Sequence, residues 1–359
     1  MKVLCFIDCL GAGGAQRQLV GLAVMLQERG YEVKVCTYYS QDFYKPYLEE
    51  NDVPNELIPG ASDVKQRIWA VRQYFKKEQP DWVIAYQETP SLVASAARVL
   101  GCNYKLIVSE RNTTQVVGMN ERVRFFLYHW ADAIVPNSYA QEKWLSEHHP
   151  WMRKKLTTIP NFVDHQQFTP NVGHQRQEVP YIMVAASIWQ SKNTLNFIEA
   201  LRILIERSIA VKVKWFGKSK SNIEYFNRCV ALIEQYGLQD YIELLEKTED
   251  IADEYRQADF FCLPSLYEGT PNVICEAMAC GLPILCSDVC DNGIYVKNED
   301  NGFLFNPHVP ESIANAVEQA AIMTGGNYQR FCERSRVIAE ETLSSNMFVE
   351  SYLNIIEKK

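Results

Sequence analysis

No two of the chain's eleven cysteines are spaced C-x-x-C, so a zinc ribbon or a thioredoxin-like dithiol has no framework here. The count is odd, and several thiols (Cys5, Cys36, Cys262, Cys286) lie in strand-like apolar segments. That pattern predicts buried, reduced thiols and a cytoplasmic setting. No uninterrupted apolar run reaches the roughly 20 residues of a membrane span. The opening MKVLCFIDCL has one lysine and a short apolar run broken by Asp8; it reads as a first buried strand and not as a secretory leader. Positive charge is in deficit, with 36 Lys/Arg against 44 Asp/Glu and a net charge of −8, which speaks against general nucleic-acid binding. Short repeats and low-complexity tracts are absent as well.

What is present is uneven. Residues 1–160 hold 19 Lys/Arg and 17 Asp/Glu, whereas residues 161–359 hold 17 and 27. Such asymmetry predicts halves that face different partners. In the first half, KVLCFID, EVKVCTYY, DWVIAY, YKLIVS and DAIVPN alternate with amphipathic stretches such as AQRQLVGLAVMLQERG. There Leu19, Leu22, Ala23 and Leu26 share one helical face and Gly30 is a natural stop. The second half begins again at YIMVAAS, with VKVKWFG, YIELL, DFFCLP and PILCS between helices expected near 193–206, 222–236, 251–257 and 272–280. The polar NFVDHQQFTPNVGHQRQEVP between the halves reads as a linker. This alternation predicts two doubly wound, parallel-sheet α/β domains, with ligand held in the cleft between them at the carboxyl ends of the strands.

Segment 259–286 carries the densest chemistry. Asp259-Phe-Phe-Cys-Leu reads as a buried strand ending at Pro264, followed by a turn and a helix from Asn272 that Gly281-Leu-Pro283 terminates. Free N–H groups expected at Asn272, Val273 and Ile274 suit a diphosphate or a sugar oxygen. Pro271 gives up an N–H that would be orphaned in any case. Glu268 lies on the loop, in reach of a sugar hydroxyl. Glu276 lies one turn into the helix, where it is either a solvated helix residue or the acceptor of hydrogen bonds from a ribose.

The string PSLYEGTPNVICEAMACGLP resembles the donor-site signature of family 4 retaining glycosyltransferases of the GT-B fold, whose two glutamates stand inside S-x-x-E-G-x-P-x-x-x-x-E-A-x-A-x-G-x-P. The resemblance implies that Glu268 engages the donor sugar, with Gly269 and Thr270 on the same loop, and that Glu276 binds the ribose of a nucleoside diphosphate sugar. It extends along nearly the whole chain. Gly11-Ala-Gly-Gly-Ala-Gln-Arg17 is similar to the family's G-G-A-E-R, with Gln16 where an acid is usual. Gly13 and Gly14 read as lining the cleft or as a plain tight turn; the loop does not supply the G-x-G-x-x-G of a nicotinamide site. Pro136-Asn137-Ser138 and Ile159-Pro-Asn-Phe-Val-Asp164 match further landmarks. Ala186-Ser-Ile-Trp-Gln-Ser-Lys-Asn193 resembles G-R-L-x-x-x-K-N, whose Arg and Lys neutralise the donor diphosphate. Lys192 matches, but Ser187 stands where the Arg is expected. Lys218, Lys220 or Arg111 are the cations available to compensate, although a solvated surface is the plainer reading for the two lysines. Cys290 replaces a usual glycine in Ser287-Asp-Val-Cys-Asp-Asn-Gly293. Ser265 and Tyr267 read as pocket lining or as turn residues.

On the acceptor side, a His common in the family is missing and Ser109-Glu110-Arg111-Asn112 stands there. Similar stretches occur in members that extend lipid-linked bacterial saccharides. Glu110 and Arg111 therefore read either as acceptor contacts or as a structural ion pair. Two basic aromatic segments are candidates for an anionic membrane surface. In Asp63–Lys77, Val64, Ile68, Val71 and Phe75 form the expected apolar face, and Lys65, Arg67, Arg72 and Lys76 point away from it; Arg122–Trp130 invites the same reading.

The expected architecture is GT-B: an acceptor-side Rossmann-like domain over 1–163, with a C-terminal helix at about 344–359 packing back on it, and a nucleotide-sugar domain over 164–343. The expected activity is a retaining hexosyltransferase using a UDP- or GDP-type donor and a saccharide or lipid-linked hydroxyl acceptor. Glu268 and Lys192 are the catalytic candidates. No cofactor and no metal are expected, because no D-x-D motif is placed by this fold. The setting is cytoplasmic, with peripheral contact at the membrane's inner face. Two rivals stand beside this: a GT-B nucleotide-sugar 2-epimerase, and a non-catalytic sugar-nucleotide-binding protein.

Overall fold

The computed structural model of the chain describes every residue except 60–62, 112–116, 219–221, 249 and 359. The chain divides into two compact units, Met1–Asn161 with Asn346–Lys359, and Phe162–Ser345.

The first unit is built on six parallel strands: β1 (Lys2–Phe6), β2 (Glu32–Thr37), β3 (Asn55–Leu57), β4 (Trp82–Tyr86), β5 (Lys105–Glu110) and β6 (Ala133–Pro136), in the order β3-β2-β1-β4-β5-β6. Central strands such as Leu4-Cys5-Phe6 and Val83-Ile84-Ala85 are buried throughout. A sheet covered by helices on both faces demands this, which is why its strands read as apolar runs instead of alternating. β1 and β4 are neighbours, in register Val3↔Trp82 to Phe6↔Ala85, although two strands separate them in sequence. The order of build-up reverses there, and a crevice opens beyond their carboxyl ends.

Helix Gly14–Glu28 buries Leu19, Leu22, Ala23 and Leu26, as the periodicity requires, and gives way at Gly30 with φ +84°. Helix Val64–Glu78 is capped by Asp63, whose carboxylate accepts from the Gln66 N–H at 2.9 Å. Two expectations for this helix are corrected. Val64, the first residue of the helix, is exposed, whereas Val71 and Phe75 are buried. Arg67 is not outward-facing: it is 5% exposed, with its guanidinium over the Tyr38 and Tyr39 rings at 4.1 and 5.1 Å. Aromatic faces take the place of water around that cation. The last helix, Ser345–Ile356, returns to this unit, and its buried Tyr352 shares a hydrogen bond of 2.7 Å with Tyr86 at the end of β4.

The second unit repeats the plan. Its strands are β7 (Tyr181–Ala185), β8 (Lys212–Lys218), β9 (Ile242–Glu246), β10 (Phe260–Leu263), β11 (Ile284–Ser287) and β12 (Gly302–Phe305), in the parallel order β12-β11-β10-β7-β8-β9. The reversal falls between β7 and β10. The polar stretch expected as a linker is instead fastened to this unit. Phe168 is buried edge-on to Tyr255 at 6.0 Å. Asp259, fully buried, accepts from the Gln177 and Tyr181 N–H groups at 3.1 and 2.8 Å and pairs with His174 Nε2 at 2.8 Å. Among the described residues, no helix is long and apolar enough to cross a membrane.

Candidate active site

Residues from two loops converge at the reversal point of the second unit. Phe260↔Ile182 and Phe261↔Met183 set β10 against β7, so the loops leaving these strands, 186–193 and 264–271, run side by side. The first loop is held from below by β8. The Ala186 N–H donates to the Phe216 carbonyl at 3.0 Å, and the Ile188 N–H to the Gly217 carbonyl at 3.2 Å. The Trp215 indole donates to the Ala186 carbonyl at 2.7 Å. Only glycine fits at 217: φ is +146°, and a Cβ there would stand 2.0 Å from the Ala186 oxygen.

The loop then makes one 3₁₀ turn, Gln190–Lys192, and reaches Asn193 in the left-handed region at φ +60°. Asparagine tolerates that conformation, and here its amide also donates to the Pro307 carbonyl at 2.7 Å. Asn193 thereby starts helix Thr194–Glu206 and fixes where Lys192 projects. The second loop is tied to the first by the Leu266 N–H, which donates to the Ser191 carbonyl at 2.8 Å. The result is a direct ion pair, Lys192 Nζ to Glu268 Oε1 at 2.6 Å, with side chains 24% and 12% exposed. Two residues singled out separately, 76 positions apart, meet at one point.

Helix Asn272–Ala279 begins after Pro271 and carries Glu276. That carboxylate is only 4% exposed, which excludes the solvated-residue reading. The Tyr255 hydroxyl donates to its Oε2 at 3.1 Å, and the fully buried Tyr255 ring stands edge-on to Phe168 and Phe261. A carboxylate buried with a hydrogen-bond donor behind it is a fixed acceptor. One expectation is corrected here. The Ile274 N–H is not free, because the first turn tightens and it donates to the Pro271 carbonyl at 3.1 Å. The Val273 N–H has no such partner among the described residues. Burial pushes the neighbouring Cys280 thiol up to about 12 and Cys275 higher still, so neither supplies a thiolate.

Around this pair, Gly269 is half-buried, Thr270 buried, Ser187 and Tyr267 exposed. Ser265 is fully buried and its hydroxyl oxygen has no partner among the described residues. Lys218, at the end of β8, holds its ammonium 5.2 Å over the Phe226 ring. Lys220 and Asn112 lie outside the described residues. Cys290 has φ +49°, which explains why glycine suits that position. Sequence reasoning passed over Gly217, Tyr255 and the supporting role of Asn193. The first two carry no local signal, since their partners come from other strands; the K-N dipeptide itself flagged the third.

In the first unit, Gly13 precedes helix Gly14–Glu28 with extended backbone, φ −132°, and Gly14 is its first residue. A Cβ at Gly13 would meet the Gln16 side-chain oxygen at 2.2 Å. Glu110 is 1% exposed and not open to an acceptor. It does form a structural ion pair, though the partner is Arg124 at 3.2 Å and not Arg111; the Tyr128 hydroxyl donates to its other oxygen. Burial raises the Glu110 carboxyl above its ordinary range, against the pull of Arg124 and Tyr128. Arg111, also buried, lies over the Tyr86 ring at 4.5 Å and donates to Ser109 Oγ at 3.3 Å and to Asn161. Arg124 is sealed too, so the Arg122–Trp130 segment presents fewer charges than its sequence suggests.

Residues 12–167 match "Glycosyltransferase Family 4" and residues 179–321 match "Glycosyl transferases group 1". The chain is 31% identical over 177 residues to the UDP-Gal:alpha-D-GlcNAc-diphosphoundecaprenol alpha-1,3-galactosyltransferase of Escherichia coli, an alignment spanning 45% of this chain and 44% of that enzyme. It is 25% identical to an uncharacterized glycosyltransferase of Haemophilus influenzae, over 95% of this chain and 96% of that one. Identity is again 25%, over 80% of each chain, to the N-acetylgalactosamine-N,N'-diacetylbacillosaminyl-diphospho-undecaprenol 4-alpha-N-acetylgalactosaminyltransferase of Campylobacter jejuni. Among solved structures, Anabaena HepE in complex with UDP-glucose superposes with a TM-score of 0.86 at 18% identity, covering 99% of this chain and 98% of that one. A glycosyltransferase from Rickettsia africae gives 0.85 at 17%, covering 99% and 97%. Both sheets, their strand order and these likenesses make the fold GT-B. With matches running through both units, and the paired glutamates at the expected places, the chain belongs to the family 4, group 1 glycosyltransferases.

Proposed function

We propose that the protein transfers a hexose from a UDP-type donor to a hydroxyl of a lipid-linked saccharide, with retention of anomeric configuration, and that the donor sits on the second unit. The observation that carries this reading is the Lys192–Glu268 ion pair at 2.6 Å beside the buried Glu276. Lys192 supplies the charge that a departing diphosphate needs. Glu268, released from the lysine as phosphate oxygens take it over, accepts from a donor-sugar hydroxyl. Glu276, backed by Tyr255, accepts from the ribose hydroxyls.

In the step proposed, the bond from the anomeric carbon to the phosphate oxygen breaks, and the acceptor oxygen bonds to that carbon on the same face. The acceptor's proton passes to the departing phosphate. No side chain is required as a covalent nucleophile. Uridine is favoured over guanosine as the base by HepE, solved with UDP-glucose, and by the E. coli relative named for UDP-Gal. The lipid-linked acceptor is favoured by the E. coli and C. jejuni relatives, both named for diphosphoundecaprenol substrates.

A screen of UDP- and GDP-sugars against GlcNAc- and GalNAc-terminated diphosphoundecaprenols, read as nucleotide release and product linkage, tests the reading. An inverted product, or turnover that EDTA abolishes and manganese restores, overturns the metal-independent retaining mechanism. Epimer formed from donor alone would favour a 2-epimerase.

Peripheral membrane contact belongs to the same reading. Helix Met119–Leu127 and the following turn bury Arg124, Phe125 and Tyr128, yet expose Met119, Val123, Phe126 and Trp130 along the opposite stripe, beside the exposed Arg122. An apolar stripe with tryptophan at its end and arginine beside it suits an anionic bilayer interface. Sedimentation with anionic vesicles at low salt tests it, and no binding there removes it.

A further inference from the structure

The first unit has its own reversal point, between β1 and β4, and Asp8 stands there just past β1. Its Oδ1 accepts from the Cys9 N–H at 2.7 Å and from the Gln16 side-chain amide at 3.0 Å. Gln87, just past β4, holds an unusual backbone for a non-glycine residue, φ +75°. With its amide nitrogen turned to the carboxylate, the orientation that satisfies both ends, Gln87 donates to both Asp8 oxygens at 3.1 Å and accepts from Gln16 at 3.2 Å. Among the described residues, no lysine, arginine or histidine pairs with Asp8. Two neutral amides therefore orient a half-buried carboxylate without an opposing charge. A carboxylate offers about four lone-pair directions, and on Oδ2, among the described residues, Gln87 alone takes one.

The neighbouring segment adds a second, independent feature. The Tyr38 and Tyr39 N–H groups both donate to the Asp8 carbonyl, at 3.1 and 2.9 Å, and the Tyr44 N–H donates to the Leu10 carbonyl at 2.9 Å. This lays an aromatic loop along residues 8–10, with Tyr39 48% and Phe43 52% exposed. Half-exposed rings on a loop whose backbone is bonded to residue 8, with an oriented carboxylate on that residue, fit a neutral polyhydroxyl ring: C–H faces lie on the aromatics and a hydroxyl donates to the acid. They do not fit a diphosphate, which Asp8 repels.

We propose that Asp8, with the rings of Tyr39 and Phe43, forms the subsite for the acceptor's terminal sugar, Asp8 accepting a hydrogen bond from one of its hydroxyls. This rests on the transferase reading above and assigns that reading's second substrate to named residues. It also accounts for Gln16: an acid at that position would face Asp8 at hydrogen-bond distance, whereas an amide orients it.

The test uses the full-length enzyme with the donor and diphosphoundecaprenol acceptor that give turnover in the screen. Kinetics are resolved into kcat and the KM for acceptor, and the affinity for UDP is measured by calorimetry. Asp8→Asn keeps the shape and removes the charge; the expected rise in acceptor KM is about 10- to 100-fold. Phe43→Ala, at an exposed position, raises it by about 3- to 10-fold. UDP affinity stays at the wild-type value in both, and Asp8→Glu recovers part of the loss. Wild-type acceptor KM in Phe43→Ala and in folded Asp8→Asn overturns the proposal while leaving the transferase reading intact. Weakened UDP binding in Asp8→Asn also overturns it, by assigning Asp8 to the donor. A wild-type enzyme that transfers nothing in the whole screen overturns the reading and this subsite together.

Discussion

In the first unit Glu110 meets Arg124 with side chains 1% and 6% exposed, and Tyr128 occupies the other carboxylate oxygen. In the second, Lys192 meets Glu268 with side chains 24% and 12% exposed, on two loops at the reversal of the sheet. The chemistry of the two pairs is alike, but their surroundings differ. A sealed pair exchanges nothing with a ligand, and its large desolvation cost is offset only while both partners stay. A half-open pair gains little stability from its attraction, and so it separates readily when a stronger anion arrives. Water access separates the pair that is only a strut from the pair that, on the proposed reading, works on the donor.

Removing one half of each pair sharpens that contrast. Arg124→Met leaves the Glu110 charge buried without a cation, and the expected loss is about 3–5 kcal/mol of unfolding free energy, read from the urea midpoint. The sign of its pH dependence follows from the raised Glu110 carboxyl. A group raised on folding contributes its stability below its unfolded value and loses it as pH rises through the folded one. The variant therefore regains stability toward acid pH, more steeply than the wild type, because Arg124 no longer opposes the shift.

Lys192→Ala should do the reverse. We expect kcat to fall about 10²- to 10³-fold, with the thermal midpoint nearly unmoved. If instead Lys192→Ala unfolds the protein and Arg124→Met loses only rate, the division of roles between the pairs is wrong. Tyr255→Phe takes away the donor behind Glu276 and should weaken UDP binding about tenfold, by calorimetry. The smallest effect is expected at Cys290, whose φ of +49° suits glycine: Cys290→Gly should add up to about 1 kcal/mol of stability without touching turnover.

The residues proposed to hold the donor were legible because strand, loop and helix follow one another within a single stretch of sequence. Glu268 and Glu276 needed no distant partner to be found. Their supports were not legible. Lys192 reaches Glu268 only because β7 and β10 are neighbours, and Gly217 matters only because β8 passes under Ala186. Arg67 failed as an outward residue since helical periodicity counts any arginine as polar, while the rings that receive it lie at Tyr38 and Tyr39. Glu110 found its cation one helix later instead of at the adjacent Arg111. Asp8 was visible as an acid breaking an apolar strand, but Gln87, which aims it, comes from another strand.

The return of the last helix has a practical consequence. Because Asn346–Lys359 closes the first unit and Tyr352 caps Tyr86, the second unit is an insertion within the first, not its successor. A fragment cut after Asn161 would lack its own lid, and truncating the carboxyl terminus would injure the amino-terminal sheet. Residues 162–345, by contrast, form a cassette whose ends meet, the Val163 N–H donating to the Leu343 carbonyl at 2.9 Å. On the proposed reading, exchanging that cassette between relatives would graft a new donor specificity onto an unchanged acceptor-binding unit.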